Sequence, residues 1–424
     1  MKVKIRKSEV RGRVGAPPSK SMTHRALICS ALAAGESMIR SPLISDDTQA
    51  TLRVLRGLGL DVSEGSGFWG VHGGTLKEPD TDLFCGESGT TLRLVTAVCS
   101  LTHGECKLTG GPSLSKRPVE PLLEGLGQLG VDCESVGGFP PVKVRGRGGI
   151  RNGEVEMRGD ISSQFVSAIL LVAPFGDGAT RIRLTTPLES RPYVRMTMDV
   201  QRIFGVEIQA SDDMRAYRVE RQAYRPADMA IEGDWSSATY LLAAGALAGG
   251  MTVEDLNSGS GQADAAIIDI LEEMGAQVKR RGSSFSVEKT ELRAVEADLS
   301  DSPDLFPVVA SLCSAASGKS VLRGLRRLRF KESDRVAAMV EGLDRMGVKT
   351  AREGDSLVIE GGRIKGGVMD PRNDHRIAMA LSILGLVAEG ETTILDAGCV
   401  SKSYPGFWED MTRIGAQIGR SRND

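Results

Sequence analysis

Eight basic residues stand where a helix is expected to begin, or beside such a start: Lys20, Arg25, Arg93, Arg117, Lys331, Arg335, Arg376 and Lys402. A cation is mildly disfavoured at the positive end of a helix dipole. Its presence is accounted for if a strongly anionic ligand binds there, received by backbone N–H groups and charged side chains together. One such residue reads as a solvated surface charge; eight at corresponding points of a repeat do not. Lys20, Asp304 and Glu332 lie among these segments and are the candidates for moving protons. Ser, Thr and Asp at the same places read as ordinary N-caps, and Asp46, Asp47, Asp234, Ser236 and Asp264 are taken so. The chemistry expected is the binding of small, multiply charged phosphates or carboxylates, with acid–base assistance, by residues from both halves of the chain.

The elements that position these residues follow from an internal repeat. A helix-like segment that ends in Gly and runs into a strand recurs around Gly59, Gly130, Gly205, Gly275, Gly347 and Gly415, at spacings of 71, 75, 70, 72 and 68. A second series, an Ala- and Leu-rich helix stopped by Gly before a β-rich run, recurs around Gly35, Gly104, Gly178, Gly250, Gly318 and Gly390, at spacings of 69, 74, 72, 68 and 72. Two markers with one period define six copies of a unit of about 70 residues, longer than the ~20–50 residues of common solenoid repeats. Two globular sets of three copies are therefore expected, dividing near Tyr224-Arg-Pro-Ala-Asp228. Glycine after the last apolar turn is the expected left-handed helix stop. The strand before Pro17-Pro18 belongs to no complete first-half copy and is free to pair with the second half.

Composition narrows the function. In 424 residues, 53 Lys and Arg nearly cancel 55 Asp and Glu, a net charge of -2 that excludes a generic nucleic-acid binder. The seven cysteines are scattered, without the spacing of a zinc or redox pair, so a reduced, cytoplasmic protein is expected. The opening Met1-Lys-Val-Lys-Ile-Arg6 lacks the apolar core of a signal peptide, and the apolar stretch Ile377–Ala388 is too short to span a bilayer. Gly86-Glu-Ser-Gly-Thr-Thr-Leu-Arg93 lacks the Lys-Ser/Thr ending of a nucleotide P-loop, and no dinucleotide fingerprint follows a strand. His24, His72, His103 and His375 are dispersed, so no zinc site is expected.

The ordered segments Pro18-Ser-Lys-Ser-Met-Thr-His-Arg25, Gly86-Glu-Ser-Gly-Thr-Thr-Leu-Arg93, Ser115-Lys-Arg-Pro118, Gly159-Asp-Ile-Ser-Ser-Gln-Phe165, Pro303-Asp304, Lys331-Glu-Ser-Asp-Arg335, Asn373-Asp-His-Arg376 and Lys402-Ser-Tyr-Pro405 carry a resemblance along nearly the whole chain. The sequence resembles the 5-enolpyruvylshikimate-3-phosphate synthase family of enolpyruvyl transferases. The resemblance implies an α/β fold of two similar domains, each built from three βαβαββ repeats as an inside-out α/β barrel, with the active site in the interdomain cleft. The domains are expected at 15–226, mainly the shikimate-phosphate side, and at 1–14 with 227–424, mainly the phosphoenolpyruvate side. It implies transfer of the enolpyruvyl group to the 5-hydroxyl of 3-phosphoshikimate, with release of phosphate and no cofactor or metal. Carried over motif by motif, Lys20, Ser21, Arg25, Ser162, Ser163, Gln164, Ser190, Asp304 and Lys331 would hold 3-phosphoshikimate. Lys20, Gly89, Arg117, Gln164, Arg335, Arg376 and Lys402 would hold phosphoenolpyruvate. Asp304 would act as base on the 5-hydroxyl, with Lys20 and Glu332 sharing proton transfer at the pyruvyl carbon.

Two positions depart from the family pattern. Glu87 stands where many relatives have Asn, and its carboxylate would repel anionic ligands unless it pairs with a cation or points away. Arg327 stands where some members have an Asn that touches the shikimate moiety. Gly89 is the glycine that in the family leaves room for glyphosate, so inhibition competitive with phosphoenolpyruvate is expected. A monomer is expected, with neither nucleic acid nor membrane as partner. The sister transferase acting on UDP-N-acetylglucosamine uses a Cys in a glycine-rich loop, and Leu114-Ser-Lys-Arg-Pro118 has none. A non-catalytic phosphometabolite-binding or RNA-end-processing relative is opposed by Lys20, Asp304 and Glu332 occurring together.

Overall fold

Helix-stopping glycines set the frame. In the computed structural model, which describes residues 1–421, Gly59, Gly130, Gly205, Gly275, Gly347 and Gly415 all have φ between 76° and 105°. That region strains any residue with a Cβ. Gly35, Gly104, Gly318 and Gly390 of the second series are also left-handed, but Gly178 and Gly250 are not. In the fourth copy the glycine that matters is Gly249, where a Cβ would overlap the Val10 carbonyl oxygen of the neighbouring strand. Close backbone approach, not dihedral freedom, selects glycine there.

Each of the six copies supplies two helices: α1 (Lys20–Leu32) and α2 (Asp46–Gly57), α3 (Gly89–Val98) and α4 (Glu120–Gln128), α5 (Ser163–Val172) and α6 (Arg191–Ile203), α7 (Trp235–Ala248) and α8 (Ile267–Glu273), α9 (Phe306–Ala315) and α10 (Arg335–Arg345), α11 (His375–Gly385) and α12 (Phe407–Arg413). The odd-numbered helices are buried almost all round, as in Val166–Val172 of α5 and Ala238–Ala248 of α7. Apolar residues on every face require that setting. The even-numbered ones bury one face only, as in α6, where Val194, Met196, Thr197, Val200 and Gln201 point inward.

Every copy has one four-stranded sheet with the same order. In the third, Gly153–Met157 runs parallel to Thr180–Leu184, and the last two strands add antiparallel, Ala216–Val219 inside and Gln209–Ala210 at the edge. This is a βαβαββ unit. Because the first two strands are parallel, the loops that follow both leave from one edge of the sheet. The starts of the two helices in a copy therefore lie side by side, the usual place for ligands in α/β structures.

The chain forms two compact units, Pro18–Ile231 and Met1–Pro17 with Glu232–Asp424. The N-terminal strand Lys2–Arg6 fills the sixth sheet between Thr392–Ile394 and Gln417–Ser421, and Val10–Gly15 lies parallel to Gly249–Glu254 in the fourth. The expected division at 226/227 is corrected. Asp228–Ala230 pairs in parallel with Gly35–Arg40, which keeps residues up to Ile231 with the first unit and supplies the first copy's missing strand. At the other end, Gly15 and Ala16 stay with the second unit, since Ala16 donates its N–H to the Glu254 carbonyl. Each unit has its own continuous apolar core.

Candidate functional site

In the first unit, the expected residues collect where α1, α3, α5 and α6 begin. Lys20 is the first residue of α1, and its Nζ lies 2.8 Å from Asp47 Oδ2, at the start of α2. Arg25, one turn further along α1, is 2% exposed. Its guanidinium donates to Thr197 Oγ1 at 2.7 Å, the Ser21 carbonyl at 2.9 Å and the Tyr193 carbonyl at 3.1 Å, so it bridges α1 and α6 through uncharged oxygens. Burial lowers its pKa to about 10, which leaves it charged at neutral pH. Taking a cation out of water against neutral dipoles alone is costly, and an incoming anion would offset that cost.

Ser162 caps α5 by accepting the Gln164 N–H at 3.3 Å, and Ser163 is buried beside it. The Gln164 side chain reaches α3: it accepts from Arg93 at 2.8 Å and donates to Thr90 Oγ1 at 2.9 Å. Ser190 precedes α6 in the left-handed conformation, φ 55°. A buried chain from His24 Nδ1 through Thr51 to Thr91, each link 2.7 Å, ties α1, α2 and α3. Burial, aided by Lys20 and Arg25, holds the His24 pKa well below the usual range, so its imidazole is neutral.

Arg117 does not lie in a helical first turn. It follows a short 3-10 turn, Leu114–Lys116, three residues before α4. A Cβ at Gly89 would lie 2.8 Å from Arg117 Nη1, so the guanidinium rests against the glycine backbone at the start of α3. Glu87 accepts the Leu114 N–H at 2.8 Å and, more weakly, the Ser113 N–H at 3.4 Å.

In the second unit the cations are bound differently. Asp304, in the 3-10 turn that leads into α9, meets Arg335 at 2.7 Å, Arg376 at 2.8 Å and Lys331 at 3.3 Å. Arg335 begins α10, is 1% exposed and touches three carboxylates: Asp304, Glu332 at 2.5 Å and Asp374 at 2.9 Å. Asp374 also caps α11 by accepting the Arg376 N–H at 3.0 Å. Three cations thus face three carboxylates. Burial would raise the Asp304 pKa, but Arg376, Lys331 and Arg335 outweigh it and hold the carboxyl well below the ordinary range. Burial opposes the charge on Arg335, and Asp374, Glu332 and Asp304 overcome it, pushing its pKa higher still.

Lys331 and Lys402, like Arg117, end 3-10 turns (Arg326–Phe330 and Ala397–Lys402) rather than opening helices. Lys402 Nζ donates to the Asn373 carbonyl at 2.6 Å, just before α11. Arg327 is 5% exposed and donates to the Ser300 carbonyl at 2.8 Å.

Asp47 and Asp264 are not the plain caps that their positions suggested. Ser45 caps α2, freeing Asp47 for Lys20. Asp264 is 1% exposed and accepts from the Ser236 hydroxyl at the start of α7. Burial, followed by the charge of Asp304, pushes its pKa up to about 7. Asp234 does cap α7, accepting the Ser236 N–H at 2.8 Å. Asp374, which sequence reasoning did not single out, is the third carboxylate of this cluster; its place between Asn373 and His375, two residues before Arg376, was the available signal.

Comparison with known proteins adds an independent line. Residues 5–411 match the family model of EPSP synthase (3-phosphoshikimate 1-carboxyvinyltransferase). A 3-phosphoshikimate 1-carboxyvinyltransferase of Methanocorpusculum labreanum is 42% identical over 99% of both chains. That of Methanothermobacter thermautotrophicus is 44% identical, covering 99% of this chain and 100% of its own. The solved structure of EPSP synthase from Acinetobacter baumannii superposes with a TM-score of 0.83 at 26% identity, over the full length of both. With cations and carboxylates gathered at and beside the helix starts of its βαβαββ copies, this chain belongs to the EPSP synthase family and is an enzyme of enolpyruvyl transfer in the shikimate pathway.

Proposed function

We propose that the two sets of side chains divide the labour of transferring the enolpyruvyl group of phosphoenolpyruvate to the 5-hydroxyl of 3-phosphoshikimate. Ser21, Arg25, Ser162, Ser163 and Ser190, with Lys20, Gln164, Asp304 and Lys331, hold 3-phosphoshikimate. Arg117, Arg335, Arg376 and Lys402, with Lys20, Gln164 and the Gly89 backbone, hold phosphoenolpyruvate. The observation that carries this reading is Asp304 at the meeting point of Lys331, Arg335 and Arg376.

Those ion pairs suit an addition–elimination sequence. Phosphate and carboxylate groups arriving on the cations compete with Asp304 and Glu332 for them. Asp304 then loses the positive neighbours that hold its pKa down and becomes a better proton acceptor. Asp304 takes the 5-hydroxyl proton as that oxygen attacks C2 of phosphoenolpyruvate, while C3 gains a proton from Lys20 or Glu332. Lys20 or Glu332 then takes a C3 proton back from the tetrahedral intermediate, the C2–oxygen bond to phosphate breaks, phosphate leaves and the double bond is restored. The cations stabilise the charge that moves through these steps.

A phosphate-release assay with both substrates tests the activity, and Asp304→Ala tests the assignment; near-normal turnover of that variant would remove Asp304 from the mechanism. Glyphosate is proposed to compete with phosphoenolpyruvate beside Gly89 and Arg117, and unchanged activity in millimolar glyphosate would contradict this. Among the described residues no helix is long and apolar enough to cross a membrane. A monomeric, cytoplasmic enzyme is proposed, and gel filtration checks its assembly state.

A further inference from the structure

The residue that departs most visibly from the family pattern, Glu87, is built into the first unit in a specific way. Its two carboxylate oxygens accept the N–H groups of Ser113 and Leu114. Gly111 donates to the Gly86 carbonyl at 2.7 Å, so the strands of chain on either side of Glu87 and Leu114 are tied together twice. The fit is close: a Cβ at Gly111 would overlap Glu87 Oε1. Leu114 itself is fully buried, which pins the turn from its apolar side as well. Three residues on, the Arg117 N–H bonds the Leu114 carbonyl at 3.0 Å, and its guanidinium lies against Gly89.

We infer that Glu87 is a positioning residue that latches the Gly110–Arg117 loop to the loop before α3 and thereby sets the Arg117 guanidinium over Gly89. The inference rests on the proposed role of Arg117 in holding phosphoenolpyruvate. It also explains how a carboxylate is tolerated so close to an anion site. Its lone pairs are turned onto backbone donors, and charge-assisted bonds of this kind are among the stronger ones in proteins.

The test is steady-state kinetics with both substrates for wild type, Glu87→Ala, Glu87→Gln, Arg117→Ala and the Glu87→Ala/Arg117→Ala pair, each variant's thermal unfolding being recorded. Loss of a charge-assisted hydrogen bond predicts a KM for phosphoenolpyruvate raised roughly tenfold or more in Glu87→Ala. The KM for 3-phosphoshikimate stays near wild type and kcat falls little. Glu87→Gln keeps an acceptor for the Leu114 N–H and recovers most of the loss. In the double variant Glu87→Ala adds nothing to Arg117→Ala, because the latch acts through that arginine. If Arg117→Ala raises this KM and Glu87→Ala does not, the latch is overturned. It is equally overturned if Glu87→Ala raises both KM values together, or raises the phosphoenolpyruvate KM as much without Arg117 as with it. If Arg117→Ala leaves the KM unchanged, the substrate role of Arg117 fails first. Should Glu87→Ala not fold, Glu87→Gln carries the test through a smaller shift of the same KM.

Discussion

Arg25 in the first unit and Arg335 in the second are both buried arginines within a cationic set, yet their surroundings push them in opposite directions. Arg25 is held by two carbonyls and a hydroxyl, and burial lowers its pKa. Arg335 is held by three carboxylates, which raise its pKa against the effect of burial. A cation on neutral dipoles is ready for an anion and gains from meeting one. A cation already neutralised must exchange one partner for another, and the displaced carboxylate is left more basic. The first arrangement suits binding. Under the proposed function, the second would couple binding to proton transfer.

The contrast can be broken at several points. The largest effect is expected from Asp304→Asn, which keeps the shape and removes the proposed base: kcat should fall roughly 10²- to 10⁴-fold in the phosphate-release assay. Arg25→Ala should act on binding instead, weakening 3-phosphoshikimate by about 10- to 100-fold, as loss of a charged hydrogen-bonding group does, with a smaller change in kcat. Equal losses in kcat from the two variants would erase the distinction between the units. Gly89→Ala places a Cβ against Arg117, so the KM for phosphoenolpyruvate should rise several-fold and glyphosate inhibition should weaken with it. An unaltered inhibition constant would show that Arg117 yields without consequence.

The smallest effect concerns pH. Asp264 has a folded pKa of about 7, above the ~3.9 of an unfolded Asp. A raised value means that the folded state binds the proton more tightly, so this contribution to stability is complete below about pH 4 and is lost as pH rises to about 7. The melting temperature of wild type relative to Asp264→Asn should therefore fall between pH 4 and pH 7, then level off. Asp304 works in the other sense: its depressed pKa gives stability that is present above ~3.9 and lost only in stronger acid. A flat difference between wild type and Asp264→Asn would mean that Asp264 is not protonated in the folded protein.

The sixfold frame was legible because left-handed stops select glycine at one point of every copy, and Gly59 to Gly415 keep that spacing. The N-terminal crossing strand was legible too, but the strand that returns to complete the first copy was less so. Nothing in Asp228–Ala230 itself names Gly35–Arg40 as its partner, since strand pairing is set by the whole sheet. At the site, residue type revealed the cations but not their counter-ions. Asp47 and Asp264 stand at helix starts where a cap is the ordinary reading, and their partners Lys20 and Ser236 lie on a different helix, 27 and 28 residues away. That separation is the distance between the two helix starts of a copy, which the parallel strand pair brings together. The notion of a plain cation surplus likewise needed the structure, because Arg335 and Asp374 become neighbours only when α10 and α11 pack.

Calorimetric titration of each substrate alone into the wild-type enzyme tests the central contrast most directly. In the proposed assignment Arg25, held by neutral oxygens, would meet 3-phosphoshikimate without giving up a carboxylate, whereas Arg335 and Arg376 would have to release theirs to receive phosphoenolpyruvate. The account predicts that 3-phosphoshikimate binds to the protein by itself and that phosphoenolpyruvate alone binds at least about tenfold more weakly, a difference of ~1.4 kcal/mol. Phosphoenolpyruvate binding alone as tightly as 3-phosphoshikimate would contradict it.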